Sequence, residues 1–505
     1  MSPTSVVEAE RKYDVDGAAA IPRLEDLPGV ANVDKPVENK LEAVYFDTPD
    51  LRLASRKITL RRRTGGSDAG WHLKLPADNG DRREHHEALG KDGEGVPKTL
   101  QQLVRVYVRD SELVVVARLT TSRTIYRLRS KTGDVLADFS DDQVHAEILS
   151  PDQSSQQWRE WELELGHGSR KLLDAGQKLM ATAAAQPSRY ASKLAHALGK
   201  RVPETSEHRV RNRKDPAGAV LLAYFDEQVH ALIQQDPQVR LDAQDAVHKM
   251  RVATRRMRSA LATYRTLLKD QDAVRFVRDE LKWLAGVLGE ARDAEVMHKR
   301  LKKMIDNEPS DLVLGPVARR VDIELGGHYK KAHTRVLEEL GGQRYFQLVE
   351  KLEALLATAD LSKTGKKAAG TVIPALVKKD VKRLHAAVVQ ARDNPAGTGD
   401  HPALHEARKD GKRLRYAAEA ASAVFPKRAS HIVDAAHDVQ KVLGDHQDSI
   451  VTRTVLRRLG SQAFLQGENG FSYGRLHALE EAAALETERR FHAEWKKFPS
   501  LSLTK

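Results

Sequence analysis

Cysteine is absent from the 505 residues. That excludes disulfides, thiol nucleophiles, thiolate-bound zinc and iron–sulfur clusters together, and it suits a reducing compartment. Aromatic residues are scarce, at 5%. A stacking platform for single-stranded nucleic acid has few rings to build on, and no nucleic-acid-binding motif is present. No apolar run approaches the length of a membrane span. Met1 to Glu10 has neither a basic leader nor the apolar stretch of a signal peptide. The expectation is a soluble cytoplasmic protein that does not engage a membrane. Walker A, GxGxxG and HExxH patterns are missing too, which argues against P-loop, dinucleotide-binding and zinc-protease chemistry.

Charge is plentiful. Charged residues make up 30% of the chain and the formal net charge is +12. A surplus of that size favours a polyanionic partner: nucleic acid, an acidic surface or a chain of phosphates. Its location is informative. Residues 1–200 hold 30 basic and 30 acidic side chains, whereas residues 201–505 hold 53 and 41. The whole surplus belongs to the C-terminal three-fifths.

Patterning divides the chain at the same place. Up to about residue 165, short segments alternate apolar with polar residues between Gly, Pro, Asn and Asp clusters, which predicts strands. They are Val6–Val15, Leu41–Asp47, Lys57–Arg63, Gly70–Leu75, Leu113–Leu119, Thr124–Arg129 and Arg159–Leu165. Helices are predicted over Leu172–Ala184 and Ser192–Leu198. The polar stretch Gly199–Gly218 reads as a linker. Beyond it the pattern turns helical, over Ala219–Gln235, Asp242–Lys269, Ala273–Met304, Leu312–Leu340, Pro374–Arg392, Pro402–Val424 and Ala429–Leu459, with a break at Asp393–His401. The reading is an α+β multidomain chain: a β-rich domain over 1–200, a linker over 201–218 and an all-α domain over 219–505.

The helical part contains a repeat. His248, Arg251, Arg255, Arg256 and Arg258 recur as His405, Arg408, Lys412, Arg413 and Arg415, and Leu288-Gly289…Asp293 recurs as Leu443-Gly444…Asp448. From the first histidine to the last aspartate is 45 positions in one copy and 43 in the other. Two motifs in the same order at nearly the same separation predict two related helical bundles, about 219–358 and 371–500.

Residues two apart on a strand share a face. Glu8, Glu10 and Lys12 therefore share one, as do Arg61 and Arg63, His72 and Lys74, Arg82 and Glu84, and Glu160, Glu162 and Glu164. An ordinary antiparallel sheet would turn such faces to water. Here the acids cluster at the two ends of the domain and the basic pairs lie between. Carboxylates on one face repel unless a cation sits among them, and oxygen ligands suit Mg²⁺ or Mn²⁺. Arginine and lysine suit phosphate oxygens. If the sheet closes, both sets line one lumen, a site for a metal–polyphosphate.

Glu8-Ala-Glu10-Arg-Lys12 resembles the ExExK signature of the CYTH domain, whose members are triphosphate tunnel metalloenzymes. Leu60-Arg61-Arg62-Arg63, Trp71-His-Leu-Lys74, Arg82-Arg-Glu84, Arg118 to Arg123, Asp138 to Asp142 and Glu162-Leu-Glu164 follow in the family's order, over about residues 3–200. The resemblance implies an eight-stranded antiparallel tunnel, a divalent metal, and hydrolysis or cyclisation of triphosphates. It implies that Glu8, Glu10, Glu162 and Glu164 ligate metal. Glu8, Glu10 and Lys12 form the catalytic strand, while Lys12, Arg61, Arg63, Lys74, Arg82, Arg118 and Arg123 hold the triphosphate. Glu160 stays outside that set, and a bulge near Arg118–Arg127 could exchange which arginines face inward.

On a helix advancing about 100° per residue, His248, Arg251, Arg255 and Arg258 fall within an arc of about 80°. His405, Arg408, Lys412 and Arg415 repeat the stripe, with Arg256, Lys409 and Arg413 on the flanks. A merely soluble face would intersperse acids for pairing one turn away; the stripe positions themselves hold no acid. The HxxRxxxRRxR and LGxxxD motifs resemble the CHAD domain, the conserved histidine α-helical domain, over about residues 215–500. That resemblance implies two four-helix bundles about a pseudo-twofold and a basic surface for inorganic polyphosphate. Asp410 and Gly411 interrupt the second stripe's helical run. Asp293 and Asp448 are expected to orient the stripes rather than touch the anion.

The functional expectation is metal-dependent hydrolysis of inorganic triphosphate or polyphosphate ends, by a chain that associates with polyphosphate granules. The alternatives are a non-catalytic polyphosphate-binding protein, a nucleoside or thiamine triphosphatase, and an adenylate cyclase. Nucleic-acid binding through the basic half is the weakest.

Overall fold

The computed structural model describes residues 4–77, 81–90, 95–149, 153–203, 211–393, 402–496 and 498–504. The chain divides into two compact units, Met1–Glu207 and His208–Lys505. Part of the linker read over 201–218, and most of the break at Asp393–His401, lie outside the described residues.

In the first unit the strands are β1 (Thr4–Glu8), β2 (Glu10–Val15), β3 (Asn32–Val33), β4 (Val37–Asp47), β5 (Thr59–Thr64), β6 (Gly70–Pro76), β7 (Arg82–Glu87), β8 (Val114–Arg129), β9 (Val135–Ile148), β10 (Ser154–Leu165) and β11 (Gln186–Pro187). Helices α1 (Lys98–Val108), α2 (Arg170–Thr182) and α3 (Lys193–Leu198) accompany them. The sequence reading missed α1, which follows Pro97, and divided β8 into two strands. All pairings are antiparallel, in the order β1-β7-β6-β5-β4-β8-β9-β10-β2-β11. Only Ala9 separates β1, at one end of the path, from β2, next to last at the other, so the N-terminal segment closes the sheet on itself. Closure gives the sheet an inside.

The inside is charged and the outside is greasy. Tyr13, Phe139, Trp161 and Leu163 pack under Leu172, Leu173 and Met180 of α2, outside the barrel. Strand alternation then turns Lys12, Glu160, Glu162 and Glu164 inward. At one end the inner face becomes apolar. Ala43, Tyr45, Ala117, Leu119, Val144 and Ala146 meet Leu194, Ala197 and Leu198 of α3 there. The Ser192 hydroxyl caps α3 by accepting from the Ala195 N–H at 3.1 Å, a standard helix start.

The second unit is all-helical: α4 (Ala217–Arg240), α5 (Ala246–Tyr264), α6 (Gln271–Asp306), α7 (Val317–Leu340), α8 (Gln343–Thr358), α9 (Ala369–Asp393), α10 (Pro402–Ala420), α11 (Pro426–Leu465) and α12 (Phe471–Trp495). Helices α8 and α12 were not read from the sequence. The Asp270 carboxylate caps α6 by accepting from the N–H groups of Asp272 and Ala273, and Pro426 occupies the first turn of α11. The α4–α7 series corresponds to α9–α12, and the two series interleave. One apolar core takes Leu301 and Ile305 from α6, Val321 from α7, Leu459 from α11 and Tyr473 and Leu476 from α12. The helix α10 runs through Asp410 and Gly411 without a break. Gly411 faces α11, where an added Cβ would lie 3.5 Å from Val439 Cγ1, and its carbonyl accepts from Gln440 Nε2.

Candidate functional site: a charged lumen and two basic stripes

Register sets the lumen. Lys12 lies opposite Glu162 and Glu10 opposite Glu164 across β2 and β10, and Arg123 lies opposite Asp142 across β8 and β9. Arg61 lies opposite Tyr45 across β4 and β5, and His72 across β5 and β6. Glu8, Glu10, Lys12, Arg61, Arg63, Lys74, Arg82, Arg123, Glu162 and Glu164 thus come together. Arg118 does not. It is exposed and five residues from Arg123, hence on the outer face of the same strand. The bulge in this strand falls near Val116, before both arginines, so it leaves their opposition intact.

The inner ions are interlocked. Arg123 grips Asp142 with two hydrogen bonds of 2.8 and 2.6 Å and reaches Glu162 at 2.5 Å. Lys12 pairs with Glu162 and, at 3.1 Å, with Glu10. Lys74 pairs with Glu8. Arg61 donates to the Tyr45 hydroxyl at 3.2 Å. Arg82 donates to the carbonyls of Lys57 and Ala191.

Three inner residues escaped the sequence reading. Glu160 was set aside and is buried in the lumen. Asp142 appeared only within a motif. Lys193 comes from α3, 28 residues beyond the end of β10, where no strand pattern could flag it. Its ammonium sits 2.8 Å from Asp142, 2.7 Å from Glu160 and 2.7 Å from Glu162. The three carboxylates lie close enough together to grip a metal. The ammonium already gives each of them a donor, so we assign this cluster to Lys193.

The other lumen carboxylates are also paired, Glu8 with Lys74 and Glu10 with Lys12, yet Glu8 and Glu164 are held above the usual carboxylate range. Burial, and then a hydrogen bond with Glu84, push Glu8 up to about 8, with Glu164 adding repulsion. Burial also raises Glu164, beside Glu10 and Glu162. Buried carboxylates that must share protons are a fit for a divalent cation. Glu8 and Glu164 are the raised carboxylates of the lumen, with Glu84 beside Glu8 and Glu10 opposite Glu164. Across the lumen Arg61, Arg63 and Arg123 crowd together. Burial and then the guanidinium groups of Arg61 and Arg123 push Arg63 down to about 9. Such a crowd favours an anion with several oxygens.

In the second unit the two stripes converge. Arg251 and Arg255 on α5 face Arg408 and Lys412 on α10. Burial, followed by Arg255, Arg408 and Arg251, pushes Lys412 down to about 6. Burial likewise lowers Arg258, with Arg255 and Arg278 next in effect. The LGxxxD motif acquires a physical reason. An added Cβ at Gly289 would lie 3.4 Å from Arg251, and one at Gly444 would lie 4.0 Å from Arg408. Each glycine leaves a seat for the first arginine of a stripe. One turn on, Asp293 takes Arg251 at 3.0 Å, and Asp448 is the leading attraction on Arg408. His248 is exposed. His405 meets Gln447 at 2.8 Å.

The flanking residues stand apart from this crowd. Arg256 of α5 pairs with Glu419 of α10 at 2.8 Å. Its counterpart Arg413 donates to the Ala262 carbonyl of α5 and pairs with Asp380 of α9 at 2.9 Å. Equivalent arginines thus stitch the two repeats together. Lys409 pairs with Glu406, and Arg415 with Glu419.

Comparison with known proteins agrees with the division. The CYTH domain matches residues 7–196 and the CHAD domain residues 223–457. Two Mycobacterium tuberculosis proteins, the uncharacterized proteins MT2285 of strain CDC 1551 / Oshkosh and Rv2226 of strain H37Rv, are each 38% identical over 511 positions, covering 98% of this chain and 97% of the relative. Among solved structures, PptA from Streptomyces chartreusis is similar with 21% identity and a TM-score of 0.47, over 56% of this chain and 99% of that one. Closed antiparallel sheet, charged lumen, helical repeat and near full-length relatives converge: this chain belongs to the proteins that join a CYTH domain, the fold of the triphosphate tunnel metalloenzymes, to a CHAD domain.

Proposed function

We propose that this chain is a divalent-metal-dependent phosphoanhydride hydrolase acting on inorganic triphosphate or the ends of polyphosphate chains. The helical unit holds polyphosphate on its paired stripes. The observation that carries the reading is that one closed sheet brings the carboxylates Glu8, Glu10, Glu162 and Glu164 together with the basic side chains Lys12, Lys74, Arg61, Arg63 and Arg123 in its lumen, with Arg63 crowded by Arg61 and Arg123.

Glu8, Glu10 and Glu164 would hold Mg²⁺ or Mn²⁺. Bound there, the ion would supply charge neutralisation and a water of lowered pKa. Arg61, Arg63 and Arg123 bind the phosphate oxygens and orient the chain. Lys12 and Lys74, both paired with carboxylates in this structure, exchange those partners for phosphate. Lys193, locked onto Asp142, Glu160 and Glu162, keeps the inner wall rigid. The apolar cap of α3 excludes water from one end. Charge stabilisation by fixed groups is the main device of phosphoryl transfer.

The test incubates the pure protein with triphosphate, ATP, long-chain polyphosphate and DNA, with Mn²⁺ or Mg²⁺, and follows phosphate release and binding together. Metal-dependent release from triphosphate is the expected result. Polyphosphate binding without release from any substrate would replace the enzyme by a binding protein, and a preference for DNA would defeat both.

A further inference from the structure

A cavity of about 320 Å³ opens at the end of the barrel away from α3. Strand β8 fixes the direction, running from Ala117 under α3 to Arg123, Ile125 and Arg127 on the cavity wall. Arg63, Arg123 and Glu164 line its inner part, and Asp68 stands on its rim. The turn joining β5 to β6 carries Asp68 there. Gly65 and Gly66 have φ of +79° and +73°, a conformation glycine adopts freely. A Cβ on Gly65 would lie 2.0 Å from the Lys40 carbonyl oxygen. The tight turn folds Asp68 back over the strand it follows.

Asp68 is tied to the lumen twice. Its carboxylate pairs with the guanidinium of Arg63. Its carbonyl accepts from His72 Nε2 at 2.9 Å, and His72 Nδ1 lies 2.8 Å from Glu84. Arg63 is 6% exposed, whereas the Asp68 side chain is 56% exposed. A half-solvated carboxylate thus occupies an inner guanidinium that Arg61 and Arg123 already crowd. A carboxylate and a phosphate present similar oxygens to arginine.

We propose that Asp68 is a substrate-mimicking clamp at the tunnel mouth, which holds Arg63 until a phosphate chain displaces it and so sets how tightly the chain end binds. This rests on the reading of the lumen as a triphosphate site. Every ligand that uses Arg63 first breaks the Asp68 pair. Removing the carboxylate abolishes that cost and leaves the chemistry in place. The predicted signature is a change in KM at constant kcat.

The experiment measures triphosphate hydrolysis and triphosphate binding by the full chain with Mn²⁺, for the wild type, Asp68→Asn, Asp68→Glu, Arg63→Ala and the Asp68→Asn/Arg63→Ala double variant. A partly exposed pair of this kind corresponds to about a three- to fivefold drop in KM for Asp68→Asn, with kcat unchanged. Asp68→Glu, which keeps the charge, returns KM toward the wild type. In the Arg63→Ala background Asp68→Asn has no effect. An unchanged or raised KM in Asp68→Asn overturns the clamp, as does a drop that persists without Arg63. A wild type that neither binds nor cleaves triphosphate removes the proposed function and the clamp with it. An active wild type with an indifferent Asp68→Asn removes the clamp alone.

Discussion

Lys193 shows how one side chain can hold a charged interior together. Three buried carboxylates converge on its ammonium. Removing one member of a buried ion set leaves uncompensated charge and costs about 3–5 kcal/mol. Lys193→Met therefore lowers the thermal midpoint sharply, read by calorimetry, and a midpoint within error of the wild type would show that the cluster tolerates its loss. Glu8 and Glu10 are proposed to hold the cation, and each is also paired with a lysine, Lys74 and Lys12. Glu8→Gln with Glu10→Gln removes both carboxylates and leaves each lysine an amide oxygen to donate to. Metal-dependent phosphate release should fall at least about a hundredfold, with circular dichroism and the melting curve preserved. Lys412 supplies the pH dependence. It titrates at about 6 in the free protein, and a bound phosphate chain draws it back toward the ordinary lysine value near 10.4. Between those limits binding takes up a proton. Affinity for polyphosphate then rises as pH falls, by up to about tenfold per unit, and levels off below the lower limit. Titration calorimetry above pH 7, where histidines are mostly neutral, isolates this lysine, and Lys412→Arg should flatten the slope there.

At the scale of elements, the strands and stripes were legible because their periods are simple. Charge alternation on Glu8–Lys12 and Glu160–Glu164 marks a strand face whether it looks inward or outward. Which way it looks depends on α2, whose apolar side covers Tyr13 and Trp161. The face of Arg118 was illegible for a related reason. Its inclusion required a bulge between it and Arg123, and the bulge lies before both. Gly411 also changed meaning. A glycine beside an aspartate looked like an interruption, yet α10 is continuous, since Leu404, Leu414 and Tyr416 on either side of it are buried. A Cβ there meets only ordinary contacts, so Gly411→Ala should gain helix propensity, up to about 1 kcal/mol. A raised melting temperature by thermal denaturation is the expected result; a lowered one would mean that α10 and α11 pack too closely for a methyl group.

At the scale of the whole molecule, the two charged sites are built by different physics. The lumen of the first unit balances acids against bases at short range. The second unit concentrates Arg251, Arg255, Arg408 and Lys412, with Asp293 and Asp448 facing them. Replacing Arg251, Arg255 and Arg408 by alanine should abolish retention of long polyphosphate and its steep salt dependence, while triphosphate hydrolysis in the same full-length variant continues at the wild-type rate. Loss of both activities together would show that the stripes also serve the tunnel. Periodicity and motif order were enough for the two units, their α and β character, the internal repeat and most of the charges that line the barrel and the two stripes. Both are local properties of the sequence. Tertiary contacts settled that the charged faces turn inward, that Arg118 turns outward, that the Lys193 ammonium sits among Asp142, Glu160 and Glu162, and that Arg256 and Arg413 stitch the repeats. Each of those is settled by contacts between segments far apart in the chain, where closure of a barrel or pairing of helices chooses between faces that the sequence leaves equivalent.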